Sequence, residues 1–323
     1  MKVRWGLDSL GPLLAELGTR EPLLVTSRRW TDLSLPVART WDGVRRHSPA
    51  DSVREAVRAA EGADGLVALG GGSAIDTAKA VSAETGLPVI SVPTTYSGAE
   101  WTPSFGVRDE ERGVKGGGSG ARLAGIVYEP LVTLSLPADE SGGTAMNALA
   151  HSAEALYVRG RNRESDAHAV AGARLIGDWL PRVLADRNDR QARTQLLAGA
   201  ANAGEALAGS GLALGHAMAQ ALGGRYGLPH GALNAICLPP ALRFNRLVAA
   251  DALQRLGDAL RGEAVTRVEE LARLAGYERL RDLGIPEDEL DEVAEAAAVR
   301  GGARANPRSA TPAEIAELLR SAW

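Results

Sequence analysis

Three successive glycines, Gly70-Gly71-Gly72, followed by Ser73, are the first residues whose arrangement carries chemistry. They directly follow an apolar run at residues 65–69 and open a helix-forming stretch that includes Asp76 and Lys79. Such glycines let the backbone turn sharply and approach a ligand closely. The free N–H groups of a helix starting there attract an anion. The loop is neither a GxGxxG pattern nor a Walker A loop, so it predicts a phosphate cradle without naming the nucleotide. A tight strand-to-helix turn with no ligand would read the same. One apolar run later stand Pro93-Thr94-Thr95-Tyr96-Ser97-Gly98. Ligands of a doubly wound sheet sit beyond the carboxyl ends of its strands, and adjacent threonine hydroxyls there suit a base, ribose or phosphate.

The second constellation is histidine. Of five, His47 and His168 stand in polar, charged surroundings and read as surface residues. His151 lies four residues after Asn147, on one helix face. His216 and His230 are 14 residues apart, and a break at Gly223-Gly224 would return the chain so that both imidazoles converge. Three convergent histidines suit zinc or iron(II), with a carboxylate or an open position completing the shell. Any one of them alone reads more often as a satisfied core residue.

The elements that must position these residues differ along the chain. Short apolar runs at residues 23–26, 65–69 and 87–92 alternate with helical stretches, the pattern of βαβ units and a parallel sheet. One helix opens at Ser48-Pro49, with Ser48 as N-cap, proline at the first helical position, and Val53, Ala56, Val57 and Ala60 on one face. From about Ser141 the strand signals stop. Helical periodicity covers residues 144–158, 165–185, 191–208, 213–221, 252–260 and 265–274, then 286–299 and 312–320. Residues 116–120, Gly-Gly-Gly-Ser-Gly, read as the most flexible stretch. An α/β nucleotide-type domain followed by an all-α domain is expected, with the hinge at residues 137–143.

Composition narrows the function classes. At 323 residues, 45% apolar and 24% charged, the chain is one large domain or two ordinary ones. No apolar run nears the roughly 18 residues of a membrane span. The first six residues carry no apolar signal core, so a cytoplasmic location is expected. A net charge of −4, scattered along the chain, offers no nucleic-acid surface. The single cysteine, Cys237, excludes a disulfide framework or a thiolate cluster.

Taken in order, these stretches resemble the iron-containing (group III) alcohol dehydrogenase family and, within it, the maleylacetate reductase branch. The likeness runs through residues 6–18, 70–79, 93–103, 147–157, 216–231, 306–308 and 318–323. It implies the dehydroquinate synthase-like fold, with a dinucleotide-binding α/β domain at 1–137 and an all-helical catalytic domain at 138–323. It also implies NADH or NADPH as cofactor, a small-molecule substrate and a homodimer. By resemblance, Gly70, Gly71, Gly72 and Ser73 hold the pyrophosphate, and Thr94, Thr95 and Lys115 add contacts. Metal-dependent members carry an aspartate four residues before a histidine, then two more histidines 14 apart. These positions are Asn147, His151, His216 and His230 here. Asparagine stands where the aspartate would be, as in the maleylacetate reductase branch, where catalysis proceeds without a metal. A neutral amide removes the only anionic ligand, so no tightly held metal is expected.

Some positions depart from the family. Gln220 stands where a histidine four residues after His216 usually helps proton transfer, and glutamine is no acid or base near pH 7. The proton must then come from His151, His216, His230, Tyr96 or water. Arg225 and Arg308 are the arginines available for a dicarboxylate pocket. After the apolar run at 23–26 comes Ser27-Arg28-Arg29 rather than an acidic residue, which leans toward NADPH. The leading reading is a metal-free NAD(P)H-dependent reductase acting on an activated C=C or C=O of a small carboxylated substrate. Two others stay open: a metal-dependent alcohol dehydrogenase or sugar-phosphate cyclase on the three histidines, and a catalytically inactive cofactor-binding partner protein.

Overall fold

The computed structural model describes residues 1–109 and 114–323. The strands are β1 (Lys2–Trp5), β2 (Pro22–Val25), β3 (Arg39–Trp41), β4 (Gly65–Gly70), β5 (Pro88–Pro93), β6 (Phe105–Asp109), β7 (Val114–Gly118) and β8 (Arg122–Tyr128). Among the described residues, six of them form one parallel sheet in the order β1-β8-β5-β4-β2-β3. β4 reads as an unbroken apolar run because both faces of the sheet are covered. Leu66 and Ala68 enter one core with Leu23, Val25, Ile75 and Val81. Val67 and Leu69 enter the opposite one with Leu10, Leu13, Ile90 and Val127. Helices α1 (Leu10–Glu16), α2 (Ala50–Ala59) and α3 (Gly72–Thr85) supply those covering residues.

β6 and β7 pair as an antiparallel hairpin, so Gly116-Gly117-Gly118 is strand rather than the loose stretch expected. Ser48 is not the N-cap of α2: Pro49 occupies that place, and Ser48 is held at φ +49 with its hydroxyl donating to the Ser73 carbonyl. Buried Lys79 donates to the carbonyls of Ala99, Thr102 and Ser104 and pairs with Asp76 at 3.0 Å, which makes it a structural clamp.

The second unit comprises Tyr96–Gly98 and Leu136–Trp323. Its helices are α4 (Ala138–Ala155), α5 (Arg163–Ala185), α6 (Arg190–Ser210), α7 (Leu214–Tyr226), α8 (His230–Asn245), α9 (Ala250–Leu260), α10 (Ala264–Leu274), α11 (Leu290–Ala298), α12 (Gly301–Ala305) and α13 (Pro312–Ser321). Helix α7 runs straight through Gly223-Gly224. The chain turns instead at Gly227, left-handed at φ +67, and α8 starts three residues on. The helix expected from residue 286 is a 3-10 turn, Glu287–Glu289, leading into α11. Leu222, Leu233, Ile236, Leu290, Val293 and Ile315 anchor the core around α7 and α8. Among the described residues, no helix is long and apolar enough to cross a membrane.

Candidate active site

Gly70 ends β4 at φ +151, where an added Cβ would lie 2.7 Å from that of Ala74. The next residue, Gly71, is the N-cap of α3, with no capping side chain and no acidic residue in the first turn. Unpaired N–H groups are thereby left at the positive end of a 14-residue helix. Thr94 and Thr95, at the end of β5, lie against this loop. The Thr94 N–H donates to the Gly70 carbonyl at 3.0 Å, and a Cβ on Gly71 would come within 2.9 Å of Thr95 Cγ2. The Ser73 hydroxyl accepts the His47 N–H. Gly70, Gly71, Gly72, Ser73, Thr94 and Thr95 thus come together around a cradle that a single Cβ would obstruct, and they fit an anionic cofactor. Ser27 follows β2 and bridges to Gly43. Lys115 lies in β7 opposite Arg108, and its side chain is outside the described residues.

In the helical unit, α4 presents Asn147, His151 and Glu154 at i, i+4 and i+7, one face of the helix. The His151 and His216 rings stack with centroids 4.8 Å apart and planes at 12°, and His230 stands 5.8 Å from His216. Three histidines from α4, α7 and α8 therefore converge. Gly98, left-handed at φ +73, packs on His151: a Cβ there would approach the ring to 3.3 Å. Burial, then the neighbouring His216 and His230, push His151 well below its ordinary pKa. It is neutral at pH 7.

Asn147 spends both ends of its amide. Its Nδ2 donates to the Ser97 carbonyl at 2.8 Å, and its Oδ1 accepts from Asn234 Nδ2 at 2.6 Å. Asn234 sits four residues after His230 on α8. Sequence reasoning missed it, although that i, i+4 spacing was visible. Glu154, also missed, lies three residues after His151. Three buried atoms here, His151 Nδ1, His216 Nε2 and Asn234 Oδ1, have no protein hydrogen-bond partner. The Asn147 oxygen is already used, and no group of three His, Cys, Asp or Glu among the described residues is placed to hold a metal.

Tyr96 is fully buried, and its hydroxyl accepts from Arg193 Nη1 at 3.1 Å. That guanidinium, also fully buried, donates further to Ser141 Oγ and to the carbonyls of Leu136 and Arg187. The hydroxyl thus belongs to a buried cluster with Arg193 and Ser141. Arg225 is committed to Glu289 and Glu292, and Arg308 to Glu314, the Phe244 carbonyl and the Phe244 ring. Both arginines are thus held in ion pairs while remaining partly exposed. His168, half-buried, meets Asn202 Oδ1 at 3.1 Å.

Known proteins are similar to this chain in sequence and fold. The model for iron-containing alcohol dehydrogenases matches residues 4–124, and that for the C-terminal part of the same family matches residues 142–323. Maleylacetate reductase of Pseudomonas knackmussii is 35% identical over 100% of this chain and 95% of its own. The crystal structure of maleylacetate reductase from Agrobacterium tumefaciens superposes with a TM-score of 0.91 at 31% identity, covering 100% of this chain and 95% of that one. A putative alcohol dehydrogenase from Ralstonia eutropha gives 0.93 at 33% identity, over 100% and 95%.

Proposed function

The chain belongs to the iron-containing alcohol dehydrogenase family, on its maleylacetate reductase branch, and we propose that this NAD(P)-dependent oxidoreductase reduces an activated C=C or C=O of a small carboxylated substrate without a metal. The observation that carries this reading is Asn147, an amide locked between Ser97 and Asn234 beside three histidines. Neither a metal-dependent alcohol dehydrogenase nor an inactive cofactor binder is favoured, since the full-length relatives carry the name maleylacetate reductase.

When bound, the nicotinamide supplies hydride to an electrophilic carbon of the substrate. Gly70–Ser73 holds the pyrophosphate through the N–H groups that open α3, and Thr94 and Thr95 bound the same cradle. His151, neutral at pH 7, donates or accepts hydrogen bonds without carrying charge. His230 stabilises negative charge developing on the substrate and supplies the proton that Gln220 cannot, while His216 accepts a hydrogen bond from an O–H group of the ligand. The proposed cofactor is NADPH or NADH. Arg29 donates to the Ser135 carbonyl and lies over Trp30, while Arg28 stands 4.0 Å from the Asp42 carboxylate beyond β3. Arg29 is thereby held, whereas Arg28 is exposed and able to meet a 2′-phosphate, so titration with both cofactors decides between them. The family resemblance supports a homodimer, which light scattering on purified protein checks.

Metal analysis with NADH and NADPH titrations on one sample tests the reading. Cofactor binding with far less than one metal per chain is expected; one firmly held metal per chain would refute it. His216→Ala should lower turnover of unsaturated keto acids by 10²-fold or more, in the range of general acid–base effects, while cofactor affinity holds. Unchanged turnover would remove His216 from the reaction.

A further inference from the structure

We infer that Glu154 is a positioning residue that fixes His216 as its Nδ1–H tautomer and turns the bare Nε2 toward the ligand. This rests on the reading that the histidine cluster is the reaction centre, which His216→Ala tests separately.

Glu154 is fully buried in the last turn of α4. Helix α7 begins at Leu214 with Ala213 as N-cap, and alanine offers no capping side chain. The Glu154 carboxylate serves instead. Its Oε2 accepts the Ala213 N–H at 2.6 Å and its Oε1 accepts the His216 N–H at 3.2 Å. Negative charge at that end of α7 is favoured by the helix dipole. The same Oε2 lies 2.8 Å from His216 Nδ1. The packing is close: a Cβ on Gly215 would sit 2.9 Å from Oε1.

One carboxylate therefore holds both the backbone and the ring of His216, which removes the ring's freedom to flip. A carboxylate only accepts, so the shared hydrogen belongs to Nδ1. In the neutral imidazole the lone pair then lies on Nε2. That atom is buried and has no protein partner. It is an acceptor held ready for an O–H group from outside the chain. His151, stacked on the same ring, has a partnerless Nδ1 and no carboxylate contact among the described residues. The stacked pair is thus unequal, and only His216 has its tautomer set by a carboxylate.

The presence of only five histidines makes the test tractable. Side-chain nitrogen NMR of the full-length, histidine-labelled protein with NADPH or NADH should show His216, identified by its loss in His216→Ala, protonated on Nδ1 and bare on Nε2. An Nε2–H tautomer in the wild type overturns the proposal, and this measurement needs no further variant. In Glu154→Gln we expect cofactor affinity within about threefold of wild type, kcat lower by about 10- to 100-fold as for outer-shell partners of histidines, and a mixed tautomer signal. Glu154→Asp should recover part of both. A lower kcat with the His216 tautomer unchanged would reduce Glu154 to a cap for α7 and overturn the proposal, as would an unchanged kcat.

Discussion

Replacing Asn147 by aspartate swaps one atom and changes two interactions. The bond accepted from Asn234 Nδ2 survives, whereas the one donated to the Ser97 carbonyl becomes an oxygen–oxygen contact. The site is 5% exposed, so water relieves little of this. Losing a buried hydrogen bond costs about 1–3 kcal/mol, and a buried carboxylate with a single donor adds to that until it takes up a proton. We expect the folded state to lose about 2–4 kcal/mol at pH 8. For a unit of this size that is a drop of about 5–15 °C in Tm. Protonation restores a donor toward Ser97, so the deficit should shrink at pH 5. A carboxylate beside three imidazoles also creates the anionic ligand the wild type lacks, so added zinc should raise the Tm of Asn147→Asp and leave the wild type unmoved. Calorimetry with chelator and with zinc, at both pH values, checks each part. A variant as stable as wild type in chelator at pH 8 would refute the account of the amide; equal stabilisation of both proteins by zinc would refute the account of the metal.

Further outcomes follow from the same geometry. Gly71→Asp should abolish cofactor binding in calorimetric titration, because its Cβ would press on Thr95 and its charge would meet the pyrophosphate; retained affinity would mean that the cradle is not the cofactor site. His151, held well below its ordinary pKa of 6.5, is neutral in folded and unfolded chains above that pH. Below it, only the unfolded chain takes up the proton, so stability should fall as pH drops from about 6.5 toward 5. Denaturant midpoints across that range should slope downward and flatten in His151→Gln.

The parallel sheet was legible because β2, β4 and β5 are short apolar runs with turn residues at both ends. The three histidines were legible by type and spacing. Other features were hidden for physical reasons. The β6–β7 hairpin contains Gly116-Gly117-Gly118, which have no intrinsic strand preference and are strand only through pairing with β6. Helix α8 opens on His230-Gly231 and contains Pro239 and Pro240, so propensity hid it while buried leucine, isoleucine and cysteine hold it. Ser48 looks like a helix cap, yet it bonds Ser73, 25 residues away. Glu154 and Asn234 stand at helical spacing from His151 and His230, but only the fold shows what they bond.

The excursion of Tyr96–Gly98 into the helical unit has a practical consequence for anyone cutting the chain. The Tyr96 hydroxyl is bonded by Arg193, its N–H donates to Thr144 Oγ1, the Ser97 carbonyl accepts from Asn147, and Gly98 lies on His151. Each of those partners lies beyond residue 135. A fragment ending there would keep the glycine loop and the six parallel strands but strand three residues immediately after Thr95, at the rim of its own ligand cradle. Isolated α/β fragments should therefore be poor surrogates for cofactor binding, and circular permutants that keep residues 96–98 joined on both sides are the better tool for separating binding from chemistry.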